Sequence, residues 1–161
     1  MLLKKRMIDI MMPREFGAVS GLFHAAIFTL QEKMIELIGR RGLRDYVFPA
    51  VHESIINVEK LGLKPLKGES FEEVLSELTR LLKKSLLISS AQFIKKDDDT
   101  YVFILNGCFM ARSAHTVAQV KGVCPMAMVA AAIMQKYSGR EVAVEWSKLT
   151  EKGSETEIKL L

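Results

Sequence analysis

The chain has 161 residues, 49% of them hydrophobic, and a formal net charge of +4 from 23 basic and 19 acidic residues. This length fits a single domain, spanning 1–161, with a sizeable core. The small basic excess is interspersed rather than gathered into a stripe with aromatics, which argues against a nucleic-acid binder. No uncharged stretch reaches the ~18 residues of a membrane span, and the apolar run at 7–12 is too short for a signal peptide. Two cysteines cannot build a disulfide framework, so we expect a cytoplasmic protein with reduced thiols.

The N-terminal half has apolar residues at helical spacing. Between 14 and 40 they predict one long helix, which Gly39 and Gly42 are suited to end because glycine adopts the left-handed conformation found at helix ends. A second helix is predicted to follow with Pro49 in its first turn, where the missing N–H of proline is tolerated.

A third helix is predicted to open at Ser70, three residues before Glu73, because this spacing is that of a reciprocal capping box. The pattern then changes: 88–95 and 100–110 are rich in β-branched and aromatic residues on either side of a polar turn, as in a hairpin. A very apolar helix is predicted over 125–137, followed by a second hairpin. Helices segregated from an antiparallel sheet make the expected fold class α+β, with N-terminal helices packed against the sheet.

Cys108, His115 and Cys124 form a candidate metal set, spaced C-x6-H-x8-C. Thiolate and imidazole are zinc ligands, so Zn²⁺ is the candidate cofactor. Cys124 precedes Pro125 and is placed at the N-cap of the predicted helix, where the helix dipole is expected to lower the pKa of its thiol. The alternative is that both cysteines are buried as small apolar side chains.

An apolar pocket is predicted between the first helices and the sheet. Its candidate lining residues are Phe16, Phe23, Ile27 and Met126, with His24 as a polar group that would orient the ligand. The sequence lacks a glycine-rich phosphate loop, a nucleophile elbow and a zinc-protease motif, so no usual enzyme signature is present.

The last 40 residues carry a resemblance to a known family. Cys124 at a helix start, Glu145 on a strand and Gly153 in a turn match the pattern of the vinyl-4-reductase domain family, which are predicted hydrocarbon-binding proteins. The order of helices and hairpin resembles the wider superfamily, which includes subunits of the TRAPP tethering complexes. The resemblance implies a ligand-binding or sensing module that pairs as a homodimer, and it does not imply reductase activity.

The sequence departs from the metal-binding members of that family. They carry cysteines after the glutamate, where this chain has Lys148 and Thr156. Either Cys108 and His115 replace the lost ligands, or the metal has been dropped and Glu145 is a solvent-facing strand residue.

Three functions follow from these observations, in order of preference. The first is a carrier or sensor that binds a small hydrophobic molecule in a helix-lined pocket, with zinc as a candidate cofactor. The second is an enzyme that uses Cys124 or a metal-bound water. The third is a scaffold or tethering-type subunit whose apolar faces contact partner chains.

Overall fold

The structure, a computed structural model, describes residues 14–60, 65–85, 87–111, 115 and 122–161, with the side chains of 14–18, 58 and 59 excepted. Within these residues the chain forms, in order, α1 (Arg14–Ile38), a π-helix (Leu43–Val47), α2 (Phe48–Lys60), α3 (Phe71–Lys84), β1 (Ser90–Lys95), β2 (Thr100–Asn106), α4 (Pro125–Ser138), β3 (Val142–Val144), β4 (Lys148–Thr150) and β5 (Gly153–Leu160). No described helix combines the length and the apolar character that a membrane crossing requires.

The five strands form one sheet in the order β1-β2-β5-β3, and all their pairings are antiparallel. β4 also pairs with β5, beside β3 along the same edge, so the two short strands are successive pieces of one interrupted edge. The predicted α+β class, with helices packed against an antiparallel sheet, is therefore confirmed.

The helices cover one face of the sheet and leave the other face to solvent. Phe103 and Leu105 of β2 are buried, whereas Val102 and Ile104 between them are only half-buried. Charged side chains occupy the open face, where Glu157 of β5 pairs with a lysine beyond β1. This alternation is the pattern of an antiparallel sheet with one covered side.

α3 shows how the sequence pattern produces a packed helix. Ser70 is its N-cap, and the Ser70 hydroxyl accepts a hydrogen bond from the Glu73 N–H at 3.3 Å, as the capping pattern predicts. The Glu73 carboxylate accepts from the Glu69 N–H at 2.8 Å, one residue before the predicted donor. The buried side of α3 consists of Val74, Leu75, Leu78 and Leu82.

The ends of the other helices differ in detail from the prediction. α1 ends before Gly39, whose φ of +69° is the left-handed conformation expected there, but Gly42 is right-handed. α2 begins at Phe48 and has Pro49 in its first turn, as predicted, but it directly continues a π-helix that the apolar periodicity did not reveal. Since a π-helix adds one residue to a turn, it leaves no distinct period in a five-residue segment.

The C-terminal part follows the prediction more closely. α4 has Cys124 as its N-cap and Pro125 in its first turn, and Gly139 ends it at φ +69°. β4 was not predicted, because three residues are too few to show an alternation. Gly153 opens β5 rather than lying in the turn, and a Cβ on it would stand 1.9 Å from the Leu105 carbonyl oxygen. Glycine is needed there for the close approach of two strands.

Candidate ligand-binding site

A cavity of about 260 Å³ lies where the π-helix, the start of α4 and the edge strand β3 meet. It is lined by Arg40, Leu43, Arg44, Phe48, Val123, Met128, Val142, Ala143, Val144, Glu145 and Trp146. Three sides of the cavity are thus made of two helical segments and one strand, and most of the lining is apolar.

The apolar walls follow from local structure. Leu43 is on the buried side of the π-helix, and Val123 and Met128 are nearly fully buried at the start of α4. β3 is the last strand of the sheet, so its outer edge has no neighbouring strand among the described residues. Because side chains alternate along a strand, Val142 and Val144 lie on the same face, toward the helices.

The π-helix is the unusual element at this site. The Phe48 N–H donates to the Leu43 carbonyl, a step of five residues instead of four. Its entry is tight, because a Cβ at Gly42 would stand 2.7 Å from the Ile38 Cγ1. The turn brings Leu43 and Arg44 of one short segment to the same cavity. Single π-turns are often found at functional sites, where they re-aim side chains.

The mouth of the cavity is charged. The Arg40 guanidinium carbon lies 4.9 Å from the ring centroid of Trp146, a cation–π contact. Arg44 makes an exposed ion pair with Asp45 at 2.7 Å. Glu145 is exposed and makes no ion pair with any described residue. The mouth therefore carries two guanidinium groups and one carboxylate.

Of the residues that the sequence suggested for the pocket, those whose side chains the structure describes do not line this cavity. Phe23 is 69% exposed and Ile27 is 38% exposed on the outer side of α1. Met126 is half-buried at the start of α4, outside the cavity lining. Phe16 belongs to α1, but its side chain lies outside the described residues. The helical periodicity correctly grouped the α1 residues on one face, but it could not show whether that face points inward.

His24 does not line the cavity either, but it is buried at 2% exposure and meets His115. The two Nε2 atoms are 3.1 Å apart, and the His115 Nδ1 lies 2.7 Å from the Thr150 carbonyl oxygen. A carbonyl only accepts, so His115 carries its hydrogen on Nδ1 and its Nε2 accepts from the His24 Nε2–H. The Phe28 ring contacts both imidazoles and is nearly perpendicular to each of them.

Burial, and to a smaller extent the neighbouring His115, lower the pKa of His24 from 6.5 to about 4. Desolvation disfavours the charged imidazolium of His24. The hydrogen bond runs in one direction, from the His24 Nε2–H to the His115 Nε2, and it links α1 to the residue that contacts the end of β4.

Both cysteines are buried, Cys108 at 6% and Cys124 at 2% exposure. Burial raises the pKa of each thiol, and the neighbouring Cys124 raises that of Cys108. The expected lowering of the Cys124 pKa is wrong. Desolvation of the thiolate raises the pKa of Cys124. Hydrogen bonds with the Ser154 hydroxyl and with the backbone at the helix start lower it, but by less.

The three predicted metal ligands are not found together as a group. Among the described residues no three His, Cys, Asp or Glu side chains converge as a metal site requires, and His115 faces His24 and Thr150. Residues 112–114 and 116–121, on either side of His115, lie outside the described part of the chain.

Comparison with known proteins gives a fold neighbour and no family assignment. No protein-family model matches the chain, and no curated protein matches its sequence. Among solved structures, subunit 3 of a trafficking protein particle (TRAPP) complex from Naegleria fowleri, covalently bound to palmitic acid, matches with a TM-score of 0.52. At 13% identity the match covers 89% of this chain and 96% of that subunit. The predicted likeness to TRAPP subunits is thus confirmed for the fold, whereas no family model supports the vinyl-4-reductase family.

Proposed function

We propose that the protein binds a small apolar molecule in the cavity between the π-helix, α4 and β3. The observation that carries this proposal is a space of about 260 Å³ walled by apolar side chains and opening beside charged ones. Ligand sites are concave, mostly apolar and equipped with a few polar groups. A dry cavity of roughly 150 Å³ accommodates benzene, so this one has room for a ligand of roughly ten non-hydrogen atoms.

The palmitic acid of the structural neighbour supports an apolar ligand, because the two folds correspond over nearly their whole lengths. Covalent attachment of an acyl chain needs a reactive nucleophile. The thiols of Cys108 and Cys124 are buried with raised pKa values, and a protonated thiol is a poor nucleophile. We therefore propose reversible, non-covalent binding, and the same argument disfavours an enzyme that uses Cys124.

Trp146 provides the test, because it is the one tryptophan of the sequence and it lines the cavity. Titration with 1-octanol should change the Trp146 fluorescence in a saturable way. Val144→Phe should fill the cavity and abolish the change, whereas Val102→Phe, a half-buried valine on the opposite face of the sheet, should retain it. Circular dichroism of both variants checks their folding. A wild-type signal that does not saturate, or one that Val144→Phe leaves unaltered, would contradict the proposal.

The outer face of α1 favours a second candidate function, that of an interaction subunit. Large apolar side chains follow one side of this helix, with exposures from 38% to 78%: Val19, Leu22, Phe23, Ile27, Leu30, Leu37 and Ile38. We call this set the α1 stripe. It exposes on the order of 700 Å² of apolar surface, more than the roughly 300–600 Å² of the largest patch on a typical monomer.

We propose that a second copy of this chain covers the α1 stripe, which would make the protein a homodimer. The exposed area is close to the roughly 800 Å² per partner of a standard interface. A twofold axis needs only one self-complementary patch, and no charged residue occurs from 18 to 31, so two antiparallel stripes would meet without like-charge repulsion. A different protein on the stripe, as in a tethering subunit, is the competing outcome.

The zinc prediction remains a separate proposal with its own test. Native mass spectrometry of the purified chain should show a mass increase of one zinc ion per chain if Cys108, Cys124 and His115 act together. Cys108→Ser should remove that increase, and Cys124→Ser should do the same. A metal-free mass for the wild-type chain after purification with added zinc would refute it.

A further inference from the structure

We infer that the ligand of the cavity is an apolar anion, whose carboxylate or similar acidic head group is bound by Arg40 and Arg44 at the mouth. This inference rests on the proposed ligand-binding function and specifies the class of ligand. Its basis is that two guanidinium groups from one short segment line a mostly apolar cavity.

Arg40 is held in a position that leaves its donors available. Its guanidinium carbon lies over the Trp146 ring, 4.9 Å from the ring centroid, and no described carboxylate forms an ion pair with it. A cation–π contact uses the charge of the guanidinium group and does not require its N–H groups, whose fork geometry matches the two oxygens of a carboxylate. The contact with Trp146 therefore holds Arg40 at the mouth, and its N–H donors form no ion pair with a carboxylate among the described residues.

Arg44 supplies a second positive charge, and its present carboxylate partner is easily replaced. Its ion pair with Asp45 joins sequence neighbours whose side chains are 70% and 42% exposed. Exposed pairs of this kind contribute little free energy, so an incoming anion can share or replace Asp45. The π-helix places Arg44 at the mouth while Leu43, the residue before it, is buried in the wall.

Glu145 also lines the cavity, and it has to be weighed against the two arginines. Its side chain is exposed at the edge of the sheet, and its backbone N–H is engaged with the Glu157 carbonyl at 2.9 Å. Solvent screens Glu145 and the two exposed arginines alike. The lining has a net positive charge because it contains two guanidinium groups and one carboxylate. An uncharged or cationic ligand would leave Arg40 without a carboxylate partner among the described residues. An apolar acid satisfies both the walls and the mouth.

Octanoate and octanamide are the matched probes, because they share the apolar tail and differ in the charge of the head group. In Trp146 fluorescence titrations at neutral pH and low salt, octanoate should bind the wild-type chain about ten- to a hundredfold more tightly than octanamide, the range expected for hydrogen bonds to a charged group. Arg40→Gln should remove most of this preference, and the double variant with Arg44→Gln should remove all of it. The affinity for octanamide should stay within about twofold throughout.

Arg41→Gln is the matched control, since Arg41 is an exposed neighbour that does not line the cavity. It should leave both affinities unchanged. Equal binding of octanoate and octanamide by the wild-type chain would overturn the anion inference while leaving the apolar site intact, and so would an equal loss in Arg41→Gln. Absence of saturable binding for both probes would instead refute the ligand-binding function itself.

Discussion

The helices α1 and α3 are built in opposite ways. α3 buries four aliphatic side chains and exposes its charged residues. α1 exposes the α1 stripe and buries the polar side chains His24 and Gln31, at 2% and 1% exposure, beside Phe28 at 1%. The difference shows that an amphipathic pattern identifies a face but not the direction in which it points. α3 is attached to the domain by apolar packing, whereas α1 combines apolar packing of Phe28 with buried side-chain hydrogen bonds.

Gln31 makes this polar attachment specific. Its amide nitrogen donates to the Val123 carbonyl at 2.9 Å, and its amide oxygen accepts from the Val123 N–H at 2.9 Å. Both backbone groups of Val123 are thus satisfied by one side chain, directly beside the cavity and one residue before the N-cap of α4. A close approach is required, because a Cβ at Gly122 would stand 2.8 Å from the Gln31 side-chain oxygen.

The largest expected change in the free energy of unfolding comes from a substitution in the buried side of α3. Leu78→Ala removes a side chain that is 5% exposed, and the resulting cavity should lower the free energy of unfolding by about 2–5 kcal/mol. Leu22→Ala, at 71% exposure on the α1 stripe, should change it by less than about 0.5 kcal/mol at dilute protein concentration. Urea denaturation measures both, and similar losses would mean that the α1 stripe is buried within the chain.

The histidine pair should make the attachment of α1 sensitive to acid. The pKa of His24 is lowered to about 4 in the folded chain, so the unfolded chain binds more protons below pH 6.5. The contribution of neutral His24 to the free energy of unfolding is fully present above pH 6.5, and roughly 3 kcal/mol of it should be lost as the pH approaches 4. His24→Gln should remove this part of the pH dependence in urea denaturation at several pH values. An unchanged slope in that variant would show that other groups cause the loss.

Gln31→Ala should cost about 2 kcal/mol of unfolding free energy, because it leaves a buried N–H and a buried carbonyl of Val123 without partners. Gln92→Ala is the matched control, since Gln92 is exposed on β1, and it should have little effect. Urea denaturation of both variants tests whether α1 is attached through the glutamine. If the two variants are equally stable, apolar contacts such as that of Phe28 hold α1 in place.

The smallest effect on the fold, and the most informative one for assembly, is expected from Leu22→Glu. A charge on the α1 stripe should hardly change the stability of the folded monomer, but it should convert a dimer into a monomer in analytical ultracentrifugation. Leu81→Glu is the control, because Leu81 lies on α3 and is 41% exposed, and this variant should leave the dimer intact. A wild-type chain that is monomeric at micromolar concentration would exclude a second copy as the occupant of the stripe.

Much of the fold was predictable from local signals. The cap of α3 at Ser70, the glycine ends at Gly39 and Gly139, and the first hairpin all depend on neighbouring residues, and these predictions agree with the structure. The hairpin turn itself is closed by Asp97, whose carboxylate accepts from the Asp99 and Thr100 N–H groups. Local backbone chemistry of this kind is independent of the rest of the chain.

The candidate site was not predictable in the same way. In the sequence Arg40 and Arg44 are part of the interspersed basic excess, and only the packed chain brings them to one cavity with Trp146, more than 100 residues away. The sequence does contain one tryptophan and a group of arginines after α1. No sequence spacing between them, however, indicates that they meet in the folded chain. His24 and His115 were noted for separate roles, and their meeting depends on the packing of α1 against the end of β4.

The amino-acid sequence determined the α-helices, the longer strands and the α+β class, because these depend on propensities and periodicities within a few residues. The tertiary structure decided which side of α1 faces solvent, which histidines share a proton-dependent contact, and where the arginines meet an apolar cavity. It also reversed the expected pKa shift of Cys124, since the desolvation of a thiol is set by the whole surrounding core. Burial and long-range proximity arise only when distant segments pack together, and for this reason the sequence pattern alone could not supply them.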